Sequence, residues 1–223
     1  MKNSGLSGRG FLKSVIYPDM KRFVTRFCLL TFCVIELCSC AGVKYASVPG
    51  GGKFGGVLTV QWVKPDEFIY RPDSKRPFYF IRPDGRKIQP GPMFTDGGSI
   101  PRVLWAIRGY SPWGYGPAFI IHDWLFDAHH CGLPDANGYT VQKAADVMSE
   151  GIKAIMEKDT SLKNTFHLYS MDMAVRSKIA ENLWNTGQCV LPPPEIMSRA
   201  NFMRPFSRTG GNGWIQTIDF DAQ

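Results

Sequence analysis

The sequence predicts an α+β domain, a small antiparallel sheet in the N-terminal half packed with about four helices in the C-terminal half. Three observations carry that expectation. Residues 55–94 are rich in β-branched and aromatic side chains broken by turn residues, the signature of short strands. From Pro101 onward the apolar residues recur at helical spacing instead. Strands are followed by helices without βαβ alternation, which argues against a parallel sheet. The chain has 223 residues, 44% of them apolar and 20% charged, enough for one ordinary globular domain and unlike a coiled coil, a collagen or a wholly disordered chain.

The first elements are strands over Val57–Val63, Glu67–Arg71 and Pro77–Arg82. The run Pro83-Asp84-Gly85-Arg86 predicts a turn, because Pro presets φ and Gly accepts a positive φ. It should join Phe78–Arg82 to Arg86–Gln89 as a hairpin, giving about four strands.

The first helix is expected over Pro101–Arg108, with Ser99 as its capping side chain. Pro117–His130 reads as the second, with Pro in its first turn and Gly132 just past its end. Thr140 caps a third, whose Ala144, Ala145, Met148, Ile152 and Ile155 share one face. A fourth, long helix starts at Asp159 or Ser161 and ends at Gly187. Its stripe of Phe166, Tyr169, Met173, Ala180 and Leu183 is expected to face the core. Pro192-Pro193-Pro194 stops the pattern, and the segment 191–223 is expected as a C-terminal extension in coil.

Ahead of the domain, residues 1–39 read as a signal peptide. Lys21, Arg22 and Arg26 are a basic region, and the nine residues from Phe27 to Ile35 are an apolar run that suits a leader. A helix needs about 20 apolar residues to cross a bilayer. Met20 opens a leader of ordinary length by itself, so residues 1–19 read as an upstream extension or an n-region of unusual length. Leu37-Cys38-Ser39-Cys40 resembles a bacterial lipobox, in which the Cys40 thiol is diacylated and becomes the mature N-terminus. Glu36 and Cys38 depart from the usual pattern, and an ordinary secretory signal or an apolar core segment is the alternative. The small and Gly-rich segment 40–54 is expected as a tether, leaving 55–190 as the folded domain. Localisation follows: a bacterial cell envelope, with the membrane reached through the lipid anchor.

Formal net charge is +7, but residues 1–39 hold six basic and two acidic groups. The remainder has 20 basic against 17 acidic residues, or +3, so a nucleic-acid partner loses its support. Of six cysteines, Cys28, Cys33 and Cys38 fall in the leader and Cys40 is the lipid site. An oxidising compartment would permit a disulfide between Cys131 and Cys189, with two separate thiols as the alternative. Neither has the spacing of a structural zinc site.

Three segments hold polar residues in unusual company. They are Thr95-Asp96-Gly97-Gly98-Ser99-Ile100-Pro101, His122-Asp123 within an apolar helix, and Asp146 among small and apolar residues. In this order they resemble the domain of unknown function 1353 family of phage, prophage and bacterial proteins. The blocks are Thr95 to Arg102 with Trp105, Ala118 with His122 to Phe126, Ala145-Asp146, and Val175-Arg176, across residues 55–187. Gly98 and Phe126 stand where the family commonly has Ala and Tyr. The resemblance implies a shared fold and pocket, and phage or prophage origin, without an assigned activity.

A charge in an apolar helix is costly unless paired, so Asp96, His122, Asp123, Asp146 and Arg176 are the candidate catalytic set. Adjacent helical residues project about 100° apart, so His122 and Asp123 are not expected as a simple facing pair. In one arrangement His122 is a general base oriented by Asp146, much as a helical His-Asp pair serves phospholipase A2 enzymes, with Gly114 and Gly116 near the calcium-loop position. In another, Asp96, His122, Asp123 and Asp146 hold a divalent cation. Both predict hydrolysis of an envelope substrate, with Arg176 neutralising developing charge. The alternative is a non-catalytic lipoprotein, a superinfection-exclusion or partner-binding factor facing a phage or host envelope protein, in which these residues are scaffold. Ser99 lacks the strained elbow of a serine nucleophile. His129 and His130 suit a helix C-terminus as well as a metal, and Asp127 is expected in solvent.

Overall fold

The computed structural model describes residues 39–64, 67–95, 114–193 and 215–222. The fold is α+β, with two antiparallel sheets and a set of helices. The expected helix over Pro101–Arg108 and its Ser99 cap lie outside the described residues.

Strands β1 (Lys53–Gly55), β4 (Tyr79–Ile81) and β5 (Lys87–Ile88) make a three-stranded sheet in the order β1-β4-β5. The expected turn closes the β4–β5 hairpin: the Arg82 amide donates to the Arg86 carbonyl (2.8 Å) and the Gly85 amide to the Arg82 carbonyl. Gly85 sits at φ +85°, where a Cβ would be strained. The second sheet runs β6-β3-β2-β7, from β2 (Val57–Lys64), β3 (Glu67–Pro72), β6 (Met93–Thr95) and β7 (Ile215–Asp219). β7 corrects the expectation of a coil extension. Thr217 pairs with Thr59 and Ile218 with Leu58, and the Phe220 amide donates to the Gly56 carbonyl at 3.0 Å.

Helix α1, described over residues 39–47, precedes the strands, and it corrects the expectation of a free tether. Ala41, Tyr45 and Val48 follow at helical spacing; Ala41 and Val48 are buried, and Tyr45 and Val48 pack in the helical core. The Lys153 ammonium donates to the carbonyls of Tyr45 (3.0 Å) and Val48 (2.6 Å). Farther along, the Gly51 amide donates to Glu157 (3.0 Å).

Helix α2 (Gly116–His130) has Pro117 in its first turn, as expected. It ends on Gly132 at φ +64°, with the Leu133 amide reaching the Ala128 carbonyl at 2.8 Å, a Schellman closure of orphan carbonyls. α3 (Val141–Lys158) starts on the Thr140 hydroxyl, which accepts from the Lys143 amide. The expected fourth helix is two. α4 (Thr165–Val175) is capped by Asn164 and α5 (Lys178–Thr186) by Ser177, because a serine hydroxyl that accepts from the Ala180 amide (3.3 Å) favours a new start over continuation.

Most of the predicted core stripe of this pair is on the wrong face. Phe166, Met173 and Leu183 are exposed and Tyr169 is half-buried; Ala180 is buried as expected, but the other buried positions are Leu168, Met171 and Trp184, together with His167 and Asp172.

One core lies between the sheets and α2, where Tyr70, Phe78 and Phe80 meet Ile121, Trp124 and Leu125. A second joins α2 to α3 and α4 through Phe119, Met148, Ile152 and Leu168. A disulfide joins Cys131, just after α2, to Cys189, just after α5, with the Cα atoms 4.6 Å apart.

Candidate functional site

Two elements build the site. Thr95 ends β6, and the pairing Phe68↔Thr95 fixes its register. α2 brings His122 and Asp123 alongside; its apolar residues lock it against the sheets. The Thr95 hydroxyl donates to Asp123 Oδ2 at 2.8 Å. Asp123 Oδ1 lies 3.3 Å from His122 Nδ1, a long contact, so the adjacent pair does meet, contrary to expectation. With Nδ1 protonated, imidazole donates to the carboxylate and keeps its lone pair on Nε2. That Nε2 is buried and has no hydrogen-bond partner among the described residues. The ring packs on Phe126 with centroids 4.9 Å apart, so a hydrocarbon surface holds the rotamer that the carboxylate orients.

Asp127, one turn beyond Asp123, is half-buried rather than solvated, a second correction. Burial, and then the nearby Asp123 charge, push its pKa up to about 7. Its Oδ2 is buried without a partner among the described residues.

Asp146 and Arg176 belong to a different cluster. Arg176 Nη2 donates to Asp146, and its Nε donates to Asp172 at 2.8 Å. Nη1 donates to the Gln142 side chain at 3.2 Å. Asp172 also accepts from Ser149 (2.8 Å) and pairs with Lys44 (2.9 Å). Burial opposes the charge on Arg176, but hydrogen bonds to Asp146 and Asp172 outweigh it and raise its pKa. These bonds tie α3 to α4 and to α1. They use the guanidinium that was expected to meet a reacting group, and the carboxylate that was expected to orient His122. Thus the candidate set divides: His122 and Asp123 act with Thr95, Asp146 acts with Arg176, and Asp96 lies outside the described residues.

The metal expectation meets the same division. Among the described residues no three His, Cys, Asp or Glu side chains gather as a metal ligand set, so His122, Asp123 and Asp146 do not form one. His129 and His130 instead pack α2 on α5. His129 stacks on Trp184 at 4.1 Å, and His130 Nε2 lies 3.1 Å from the Leu183 carbonyl.

Sequence reasoning assigned no role to three participants. Thr95 stands at the head of the first polar segment without a part of its own, Asp172 passes for a surface acid between two methionines, and Ser149 for a helix filler. Asp172 did carry a signal, its position four residues before Arg176, where opposite charges meet on a helix. Also missed was Arg82, which donates from Nε (2.8 Å) and Nη2 (2.7 Å) to the Glu150 carboxylate. Both side chains are buried, and the bidentate bond to Glu150 raises the Arg82 pKa despite burial.

A half-open cleft of about 610 Å³ lies between β1, the C-terminal part of α3 and β7. Phe54, Pro117, Ile155, Leu162, Ile218 and Phe220 form much of its wall. Gly114 also lines it, whereas His122, Asp123, Asp146 and Arg176 do not.

The chain matches no family model, no curated protein and no solved structure.

Proposed function

We propose that this is a lipid-anchored protein of the bacterial envelope whose domain hydrolyses an envelope substrate, with His122 as the general base. The observation that carries the reading is the Thr95–Asp123–His122 relay, which leaves one buried imidazole nitrogen unpartnered among the described residues. A base needs an orienter and a free lone pair. Asp123 supplies the first at Nδ1, and Thr95 fixes Asp123 in turn. His122 Nε2 takes a proton from water or a hydroxyl as that oxygen attacks the substrate, and the Asp123 carboxylate stabilises the resulting imidazolium. The proton then passes from Nε2 to the leaving group. The leader-like segment and Cys40 support an envelope substrate: peptidoglycan, lipid or peptide.

The test is turnover of these three substrate classes by the purified chain and by His122→Gln, with melting temperature measured on both. Loss of turnover at an unchanged melting temperature supports the base. Equal turnover in the two proteins overturns it.

A second reading, a non-catalytic partner-binding lipoprotein, draws on the commitment of Asp146 and Arg176 to helix packing. It expects His122→Gln to retain the biological effect of the chain.

A further inference from the structure

Residues 41–52 are fastened to the domain. The Lys153 ammonium holds two carbonyls at the end of α1, Lys44 pairs with Asp172 at 2.9 Å, and Gly51 is bonded to Glu157. Cys40 is itself helical and exposed, and the next residue, Ala41, is buried. No slack chain therefore separates position 40 from the fold.

Taking Cys40 as the lipid site, a reading on which this step rests, we propose that the α1–α4 face beside it is a bilayer-contact surface. One helical turn advances about 5 Å, and the polar layer on each side of a bilayer is of similar thickness, roughly 5–7 Å. Acyl chains leaving Cys40 thus bring residues one turn away into that layer.

The side chains at this place are apolar where solvent would favour polar ones. Val43, three residues from Cys40, is 69% exposed, and Met173 is 56% exposed. Each is the sequence neighbour of one partner in the Lys44–Asp172 bridge, which joins α1 to α4. Phe166, seven residues before Met173 and on the same side of α4, is 45% exposed. Scattered apolar residues need no explanation; Val43 lies one helical turn from Cys40, and Met173 and Phe166 belong to the helix that the Lys44–Asp172 bridge ties to α1. The exposed Lys163 ammonium lies 4.8 Å from the Tyr45 ring of α1, a charge of the sign that anionic head groups attract. The lipid identifies the occupant as the membrane surface rather than another protein.

The experiment uses the full chain with its leader, Met173→Cys, purified from membranes with its mass recorded. In the mature chain Cys40 carries lipid and Cys131 is joined to Cys189, so the new thiol alone takes an environment-sensitive fluorophore. The protein is reconstituted in phosphatidylcholine–phosphatidylglycerol vesicles with brominated acyl chains. Emission from position 173 should shift to the blue and lose intensity to bromine, and Val43→Cys should report the same. Ser74→Cys, in the exposed β3–β4 loop, should show neither change. Adding Val43→Glu to Met173→Cys should weaken the shift while the acyl mass persists. Equal emission from positions 173 and 74 in acylated protein overturns the contact surface alone. A mass without acyl chains on Cys40 overturns the lipid reading and the surface with it.

Discussion

His122 and Asp127 lie on one helix and are treated oppositely by it. His122 has one nitrogen oriented by Asp123 and the other left over. Thr95→Val removes the donor to Asp123 Oδ2 while preserving shape. Loss of one such hydrogen bond to a charged group weakens it by about 1.5–3 kcal/mol, so under the proposed hydrolysis turnover should fall roughly 10- to 100-fold, with KM little changed. Turnover equal to that of the parent chain would remove Thr95 from the relay. Asp127 carries a different consequence. Its folded pKa, about 7, lies above the ordinary 3.8, so between those values the folded chain binds more protons than the unfolded one. Stability attributable to this residue is therefore present below about pH 4 and is lost as pH rises to about 7. Melting curves across that window should fall more steeply for the parent chain than for Asp127→Asn. Parallel curves would mean that Asp127 ionises as it does in water. The polar residue in an apolar helix was the legible feature here, and it located His122 and Asp123. It did not reveal Thr95, whose role depends on a strand lying beside α2, nor the burial of Asp127.

At the scale of elements, helix starts were legible wherever a side chain caps an amide. Thr140 opens α3 as its sequence implies. Ser177 was passed over because Met171 to Leu183 can be drawn as one continuous amphipathic run. The cap divides that run, and polar bonding then decides which face turns inward: Asp172 is held by Ser149, Arg176 and Lys44. Those bonds carry a buried acid inward and leave Met173 outside, which a periodicity argument based on hydrophobicity does not anticipate. β4 and α3 are joined by another polar device, the buried Arg82–Glu150 pair. Glu150→Ala strands a buried guanidinium and should cost about 3–5 kcal/mol in urea unfolding. The double substitution Arg82→Met with Glu150→Met should recover most of that loss, because both desolvated charges are gone. Equal losses in the single and double variants would show that the pair contributes shape rather than charge compensation.

Across the whole molecule, the closures made at the largest sequence separation were the hardest to read. β7 pairs with β2 across more than 150 residues, and its five residues contain only two β-branched isoleucines and a threonine after a long stretch without pattern. The cysteines were easier, since only two remain beyond Cys40 and one pairing exists. Their bond encloses α3, α4 and α5 in a 58-residue span. In the chain-entropy account a loop of this length contributes about 4 kcal/mol by restricting the unfolded chain. The native contribution is uneven, because α5 buries only Ala180 and Trp184 and is otherwise held by His129 and His130 at the end of α2. Joining Cys131 to Cys189 ties α5, which has only two buried residues of its own, to the end of α2. Cys131→Ser with Cys189→Ser should therefore lower the urea midpoint. It should also speed amide exchange in α5 well before exchange in α3, whose buried face spans Ala144 to Met156. Uniform acceleration across both helices would place the whole effect in the unfolded chain, whereas selective loss in α5 makes the disulfide the clasp of the weakest helix.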